Sequence, residues 1–302
     1  MKYEIDHNIL ESLLTLASVI EARDVYTGGH TWRVSQYATL LARKTGLKKD
    51  EIFLSSLGGM IHDIGKVGVP DAILNKRGPL DEKEFEIIKN HPTIGNTIIE
   101  KHPLYDLVQM SVNEHHERLD GKGYPLAVTE LTIFGKIVSI SDAFDAMTSD
   151  RSYRKGMSKE QACILLTEAK ETQFDKNLAE LFIGLCSAGD LDPVIGHAGE
   201  NKRMLNCSQC GPIVVPPDSL TNGDKVVCPN CMVHFVAHHK MDTFELEYTD
   251  MKSSVYLPKS DHDCISHFLG YSPRKILANL KVHCKNCQPS HNSLPSCKPH
   301  CS

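Results

Sequence analysis

LSSLGGMIHDIGK, residues 54–66, ends a helical segment on an adjacent histidine and aspartate. The small residues Ser55, Ser56, Gly58 and Gly59 predict that neighbouring helices approach this segment closely. His62 and Asp63 supply one neutral nitrogen and one carboxylate within a single turn, and a carboxylate can bridge two cations. A lone His-Asp pair is more often simply solvated. The interpretation as a metal site therefore depends on further ligands elsewhere in the chain.

Helical periodicity extends on both sides of this stretch. Leu13 and Ile20 lie on one helical face, and comparable apolar spacing recurs along the chain. Ser158 followed by Gln161 is a capping-box start. No alternation of polar and apolar residues interrupts the pattern. The sequence therefore predicts a mainly α fold with an all-α domain over residues 1–190.

The pattern changes after residue 190. Residues 191–204 form a polar stretch with Gly and Pro, which indicates a linker. Four short β-type runs follow within residues 205–250, with an Asn-Gly turn signal at 222–223. These runs predict a small β module.

Two CxxC pairs in this module have zinc-site spacing. The cysteines are Cys207, Cys210, Cys228 and Cys231, with 17 residues between the pairs. Four thiolates leave no open coordination position, so we expect a structural zinc in a zinc-ribbon-like module. Redox-active thiols are the alternative.

The Cys/His-rich segment at 251–302 has less regular spacing. A second structural metal site is one interpretation, with poor order of the last residues as the other. Its candidate ligands are Cys284, Cys287, Cys297 and Cys301, with His283, His291 and His300 as substitutes.

Composition excludes several classes of protein. The formal charge is −5, with no basic footprint for nucleic acid in either half. Neither a signal peptide nor an apolar run of membrane-spanning length occurs, which favours a cytoplasmic protein without a membrane partner. Only Cys163 and Cys186 of the 11 cysteines precede residue 200, and both are expected in the helical core.

Further metal-type ligands recur in the helical part. They are His30, His91, His115, His116 and Asp142. Leu104, Val108 and Val112 lead by helical spacing to His115, so we expect this histidine to point inward. A single inward histidine usually has only a hydrogen-bond partner. Five histidines and two aspartates without a cysteine favour a cage for two Fe or Mn cations.

Several motifs occur in an order that resembles a known family. They are EARDVYTGGHTWRV, HDIGKVGVPDAIL, KNHPTIG, HHERLDGKGYP and SDAFDAMTSDRSYR, within about residues 5–187. The chain resembles an HD-GYP domain of the HD-superfamily metal phosphohydrolases. The resemblance implies a helical HD fold and hydrolysis of cyclic di-GMP to linear pGpG, and further to GMP in some cases.

The resemblance also implies a set of metal ligands. They are His30, His62, Asp63, His91, His115, His116 and Asp142, with Asp63 as the bridge. Some members carry a glutamate four residues before the first ligand histidine, where this chain has Tyr26. We therefore expect two metals. Glu117, Asp120 and Asp145 adjoin the set and are expected to orient its imidazoles.

From two adjacent cations we expect hydrolysis of a phosphodiester by a metal-bridged hydroxide, without a covalent intermediate. Asp63 is expected to be the catalytic carboxylate of this site. Considered alone, Lys66 reads as a surface lysine at a helix end. In the family that the chain resembles, the lysine at this position lies by the substrate phosphate, so we expect Lys66 to be catalytic. The guanidinium groups of Arg151 and Arg154 are suited to binding phosphate or guanine. They are equally suited to complementing the dipole at the C-terminus of a helix. Tyr124 is expected to face substrate or a GGDEF-type partner domain.

Two rival functions remain open. The first rival keeps the metal chemistry but changes the substrate from cyclic di-GMP to another nucleotide, such as cyclic GMP-AMP. A catalytically silent binding module, signalling through the ribbon, is the rival from another class. The complete set of ligand positions favours an enzyme. A homodimer is left open.

Overall fold

The computed structural model describes residues 7–24, 28–76, 78–150, 154–217, 219–241 and 243–253. Its helices are α1 (His7–Arg23), α2 (His30–Lys44), α3 (Lys49–Ile61), α4 (Asp71–Leu74), α5 (Glu82–Ile88), α6 (His91–Ile99), α7 (Tyr105–Glu114), α8 (Ile133–Thr148), α9 (Lys159–Glu168) and α10 (Lys176–Ala188). A 3-10 helix, Ile64–Gly68, follows α3. The strands are β1 (His197–Gly199), β2 (Lys202–Arg203), β3 (Leu205–Cys207), β4 (Gly211–Val214), β5 (Lys225–Val227), β6 (Val233–Lys240) and β7 (Thr243–Lys252). The predicted mainly α fold with a small β module is confirmed.

The small residues of α3 allow two neighbouring helices to approach its backbone. A Cβ on Gly59 would lie 2.7 Å from the Cα of Ser35 in α2. A Cβ on Gly58 would lie 2.2 Å from Oγ of Ser111 in α7. Both distances are far below an ordinary carbon contact, so α3 is held at the centre of the helical part.

Side-chain caps define the later helices. Ser158 and Gln161 form the predicted capping box at the start of α9. The Asp175 carboxylate accepts hydrogen bonds from the main chain at the start of α10, which ends at Gly189 with φ 82°. This left-handed conformation suits glycine because it lacks a Cβ. The caps fix where α9 and α10 enter the apolar core.

The stretch at 191–204 packs against the helices. Leu191 and Val194 belong to the helical core, and Ala198 is 1% exposed. β1 and β2 pair as a short antiparallel ladder. The composition indicated a linker because these apolar residues are embedded among polar ones. Their burial makes the stretch a continuation of the helical core.

The β module contains one hairpin and one three-stranded sheet. β3 pairs with β4, and β5, β6 and β7 form an antiparallel sheet in that order. Val233, Phe235 and Ala237 alternate along β6 and are fully buried. Gly223 has φ 92° at the predicted turn before β5. All four predicted β runs overlap strands.

Among the described residues, no helix combines the length and the apolar character that crossing a bilayer requires.

Candidate metal centre

All seven predicted ligand residues come together at one place in the helical part. Most lie at helix ends, where a side chain can leave the helix surface and reach a shared centre. His30 and His91 begin α2 and α6, His62 and His115 are the C-caps of α3 and α7, Asp63 precedes the 3-10 helix, His116 follows His115, and Asp142 lies in α8. Their roles as ligands stay a prediction.

The first cluster contains His30, His62, one oxygen of Asp63 and one oxygen of Asp142. The Nε2 atoms of the two histidines are 3.3 Å apart. Asp63 Oδ2 lies 3.4 Å from His30 Nε2 and 3.3 Å from His62 Nε2. Asp142 Oδ1 lies 3.4 Å from His30 Nε2. Donors about 2.1 Å from one cation are about 3.0–3.4 Å apart, so the atoms of His30, His62 and Asp63 fit a single ion, with Asp142 Oδ1 beside them at 3.7 Å from His62 Nε2.

The second cluster contains His91, His115 and His116 with the other oxygen of Asp63. His91 Nε2 lies 3.0 Å from His115 Nε2 and 3.3 Å from Asp63 Oδ1. Asp142 Oδ2 lies 4.0 Å from His116 Nδ1. Asp63 therefore presents one carboxylate oxygen to each cluster, which is the geometry of a bridging ligand.

Hydrogen bonds from Nδ1 orient the imidazoles. His62 donates to the carbonyl of Gly59, and His91 donates to that of Ile88, both at 2.8 Å. In the neutral form of an imidazole protonated at Nδ1, the lone pair is on Nε2, where a cation binds. His30 differs because its Nδ1 contacts Asp145 Oδ2 at 2.8 Å. The expectation that Asp145 orients an imidazole is confirmed.

Electrostatics differ between the clusters. Burial alone would lower the pKa of His62, but the carboxylates of Asp63 and Asp142 raise it to about 10. Burial, with the charge of a neighbouring histidine, lowers the pKa of His116 to about 3. Burial alone would raise the pKa of Asp63, but Lys66 and nearby imidazoles hold it well below its usual value. The carboxylates therefore outweigh burial at His62, whereas at His116 they do not.

The end of α7 explains how two adjacent histidines reach one site. Neighbours on a helix point about 100° apart, and α7 ends just before His115. The ring centroids of His115 and His116 are 4.2 Å apart. Tyr124 stacks on His116 with a centroid distance of 4.7 Å. The tyrosine therefore forms a wall beside the second cluster.

Glu117 and Asp120 do not orient imidazoles, contrary to expectation. Glu117 is 1% exposed and accepts hydrogen bonds from the backbone N–H groups of residues 126, 127 and 128. Asp120 pairs with Arg118 at 2.8 Å. Their position in the sequence suggested contact with the ligands, but both serve the loop that carries Tyr124.

Lys66 lies beside the first cluster. Its Nζ is 2.8 Å from Asp63 Oδ2 and 3.2 Å from Asp24 Oδ2. Sequence reasoning missed Asp24, as well as Glu21, whose carboxylate accepts hydrogen bonds from Thr31 at the start of α2. Both acids belong to the EARD segment of the first motif, which was the available signal. They line one cavity together with Lys66 and Asp63.

Arg151 and Arg154 are the remaining residues that were predicted to bind substrate. Arg154 Nη2 donates to the carbonyl of Ala146 at 2.6 Å, near the end of α8. This contact favours the helix-end alternative over phosphate recognition. Arg151, Tyr26 and the possible second metal site at Cys284, Cys287, Cys297 and Cys301 lie outside the described residues.

The four cysteines of the β module form a compact cluster. The sulfur atoms of Cys207, Cys210, Cys228 and Cys231 all lie within 4.8 Å of one another. Cys207 Sγ and Cys231 Sγ are 3.7 Å apart. Tetrahedral zinc with bonds of about 2.3 Å separates its sulfurs by about 3.8 Å, so the cluster fits this ion.

Comparison with known proteins places the helical part in a family. A family model described as an HD domain matches residues 15–178, just over half of the 302 residues. The 3'3'-cGAMP-specific phosphodiesterase 3 of Vibrio cholerae is 33% identical over 192 residues, which cover 63% of this chain and 41% of the relative.

Two further relatives match over a similar length of the chain. A cyclic di-GMP phosphodiesterase of Thermotoga maritima is 37% identical over 188 residues, 60% of this chain and 50% of the relative. The 3'3'-cGAMP-specific phosphodiesterase 2 of V. cholerae is 37% identical over 177 residues, 57% of this chain and 34% of the relative. The chain spans between about a third and a half of these three proteins.

Proposed function

Because the chain belongs to the HD domain family, we propose that it is a metal-dependent phosphodiesterase that hydrolyses cyclic di-GMP to linear pGpG. The observation that carries this proposal is the carboxylate of Asp63, with one oxygen in each of two ligand clusters. A carboxylate so placed suits two adjacent cations, which is the arrangement used for in-line displacement at phosphorus. Release of GMP would mark a second hydrolytic step.

We assign the two cations to Fe or Mn. The first and second clusters offer nitrogen and oxygen donors without sulfur, which suits these ions. When bound, two such cations lower the pKa of a shared water and neutralise charge on the phosphoryl oxygens. A third cation is not part of the proposal.

The chain's own residues bind and orient the phosphodiester. Lys66 is held between Asp24 and Asp63, so its ammonium is fixed as a positive charge beside the first cluster. From there it donates to a non-bridging phosphate oxygen. Tyr124, stacked on His116, limits the cleft on the side of the second cluster. Glu117 keeps that wall in place through its three backbone contacts.

A second candidate substrate is 3'3'-cGAMP. Relatives named for this substrate match at 33% and 37% identity. The ligand clusters and Lys66 recognise phosphate, which both cyclic dinucleotides share. Cyclic di-GMP is the first candidate because four relatives named for it match at 31–37% identity.

Zinc in the β module and a protein partner complete the proposal. We assign structural zinc to the four clustered cysteines, within a zinc-ribbon-like module over residues 205–250. The loop that presents Tyr124 is the proposed contact for a GGDEF-type domain. Homodimerisation is a further proposal that a mass measurement would test.

Turnover by the full chain tests the enzyme. The protein is purified without oxygen, loaded with Fe²⁺ or Mn²⁺, and incubated separately with cyclic di-GMP and 3'3'-cGAMP. Asp63→Asn should lower kcat/KM by about 1000-fold or more, because the lost bridge supplies several kcal/mol and each 1.36 kcal/mol is about tenfold. Asp106→Asn, an exposed change on α7, is the matched control.

The outcomes separate the three functions. Hydrolysis of one dinucleotide by wild type, lost in Asp63→Asn alone, supports the enzyme and names its substrate. Tight binding of a dinucleotide without turnover by metal-loaded protein would establish the silent binding module instead. Undiminished hydrolysis in Asp63→Asn would refute the assigned site.

A further inference from the structure

Arg33 is a buried guanidinium that joins the first cluster to the C-terminal part of the chain. Its Nε and Nη2 donate to the two oxygens of Asp145 at 2.6 and 3.0 Å. Asp145 Oδ2, which accepts from Arg33 Nη2, also contacts Nδ1 of His30 at 2.8 Å. Arg33 Nη1 donates to the carbonyl of His197 in β1 at 2.8 Å. Three contacts thus lead from a predicted metal ligand to the chain that follows α10.

The two-pronged pairing of the Arg33 guanidinium with Asp145 depends on its contact with His197 in β1. A guanidinium offers five N–H donors in a rigid plane, and a buried donor without an acceptor is unfavourable. Nη1 uses the carbonyls of Gly28 and His197 at 2.9 and 2.8 Å, and also contacts Met204 Sδ at 3.7 Å. Displacing β1 would leave part of this donor set unpaired, and the pairing with Asp145 needs the whole plane to stay in place.

A second contact acts directly on the turn before His30. Gly29 is the N-cap of α2, and a Cβ there would lie 2.2 Å from the Cα of Ala198. A Cβ on Gly28 would lie 2.8 Å from Cγ2 of Val215, which follows β4. The backbone that enters α2 is therefore bounded by β1 and by the hairpin that carries Cys207 and Cys210.

We propose that the segment after α10 is a structural part of the first cation site. β1 and the cysteine module hold Arg33 and the turn before α2, and Arg33 positions His30 through Asp145. Arg33 and Asp145 are positioning residues, since neither lies among the clustered donor atoms. This inference rests on the proposed function because it takes the first cluster to bind a cation. It adds that folding of the cysteine module controls that binding.

Cation binding by the full chain tests the coupling. Ala198→Leu enlarges a buried residue against Gly29 and alters no charge. Binding of Mn²⁺ alone is measured by equilibrium dialysis, with free Mn²⁺ quantified by electron paramagnetic resonance. One of the two affinities should fall by about 10–100-fold, the range known for changes behind a metal ligand. Ala188→Leu, exposed at the end of α10, is the matched control and should bind as wild type does.

Two further variants keep the proposal falsifiable if Ala198→Leu does not fold. Arg33→Lys keeps the charge but loses the two-pronged pairing with Asp145, so it should show the same loss at one site. Arg43→Lys, exposed on the same helix, should show none. Cys207→Ser with Cys228→Ser removes the proposed zinc site and should also weaken one Mn²⁺ affinity while the helical circular dichroism is retained.

Wild-type affinities at both sites in Arg33→Lys, or in the folded double cysteine variant, would overturn the coupling. An equal loss at both sites would also overturn it, because the described contacts of Arg33 and Asp145 do not reach His91, His115 or His116. The binding readout is independent of catalysis. Absence of hydrolysis by wild-type protein with two bound Mn²⁺ would refute the proposed function and leave this inference standing.

Discussion

Gly65 allows the 3-10 helix to touch the backbone of α6, and enlarging this residue should separate the two clusters. A Cβ on Gly65 would lie 1.8 Å from the carbonyl oxygen of His91 and 2.4 Å from the nitrogen of Gly95. Both are backbone atoms, so no change of rotamer removes the collision. Ordinary contact begins at 3.4 Å, so Gly65→Ala requires α6 and the 3-10 helix to move apart by about 1.6 Å, the difference between 3.4 and 1.8 Å.

That movement acts directly on the proposed bridge. His91 Nε2 now lies 3.3 Å from Asp63 Oδ1, and adding the displacement gives about 4.9 Å, too far for two donors on one cation. Overpacking of this kind costs about 1–3 kcal/mol. Each kcal/mol lowers the Tm of a domain of this size by roughly 2–4 °C, so a decrease of about 2–12 °C is expected.

The assay measures Tm and bound Mn²⁺ per chain for wild type, Gly65→Ala and Gly184→Ala. Gly184 is exposed within α10, and no atom of the described residues lies within 4 Å of the position that a Cβ would take there. Alanine at this residue should leave cation binding unchanged and stabilise the helix by up to about 1 kcal/mol. If Gly65→Ala kept both its wild-type Tm and two bound cations, the close approach of the 3-10 helix and α6 would not be what builds the bridge.

Three other changes probe the loop, a helix cap and the cysteine module. Glu117→Gln removes the carboxylate that accepts hydrogen bonds from three backbone N–H groups of the Tyr124 loop. Because the loop limits the cleft where substrate binds, KM should rise more than kcat falls. A change in kcat alone would refute the role of Glu117 in the loop. Asp175→Ala should cost about 1 kcal/mol near pH 7 through loss of the α10 cap. Burial alone would raise the pKa of Asp175, but the N–H of Leu178 and other partners lower it. The stabilisation by the Asp175 cap is therefore present above the unfolded-state pKa and lost as pH falls through the lowered folded pKa. If Asp175→Ala lost the same free energy of unfolding in urea at pH 7 and at about pH 2, this reasoning would be contradicted. Chelation of zinc should expose the amide of Phe235 in β6 to hydrogen exchange, and unchanged protection would exclude structural zinc.

Local patterns in the sequence were sufficient for the inward face of α7. Leu104, Val108 and Val112 are buried, and His115 continues their spacing into the site. Apolar periodicity predicts such a position because burial of one helix face decides its orientation. The two oxygens of Asp63 could not be assigned in this way, because their directions depend on how α2 and α6 pack against α3.

Arg33 shows the limit of sequence reasoning more clearly. A charged residue is seldom buried without a partner, and its partners are separated from it by 112 residues at Asp145 and 164 at His197. No short-range pattern connects these positions. The same reason explains why Asp24 was missed, since its contact with Lys66 joins residues 42 apart.

The two clusters are built on different supports, and this difference decides which cation depends on the rest of the chain. In the second cluster, His91 and His115 rest on carbonyls of the turns that precede them, Ile88 and Val112. Those supports come from nearby residues in sequence. In the first cluster, His30 rests on Asp145, whose place depends on Arg33 and on β1. Disruption of the cysteine module should therefore weaken cation binding at the first cluster more than at the second, because the support of His30 includes the segment after α10.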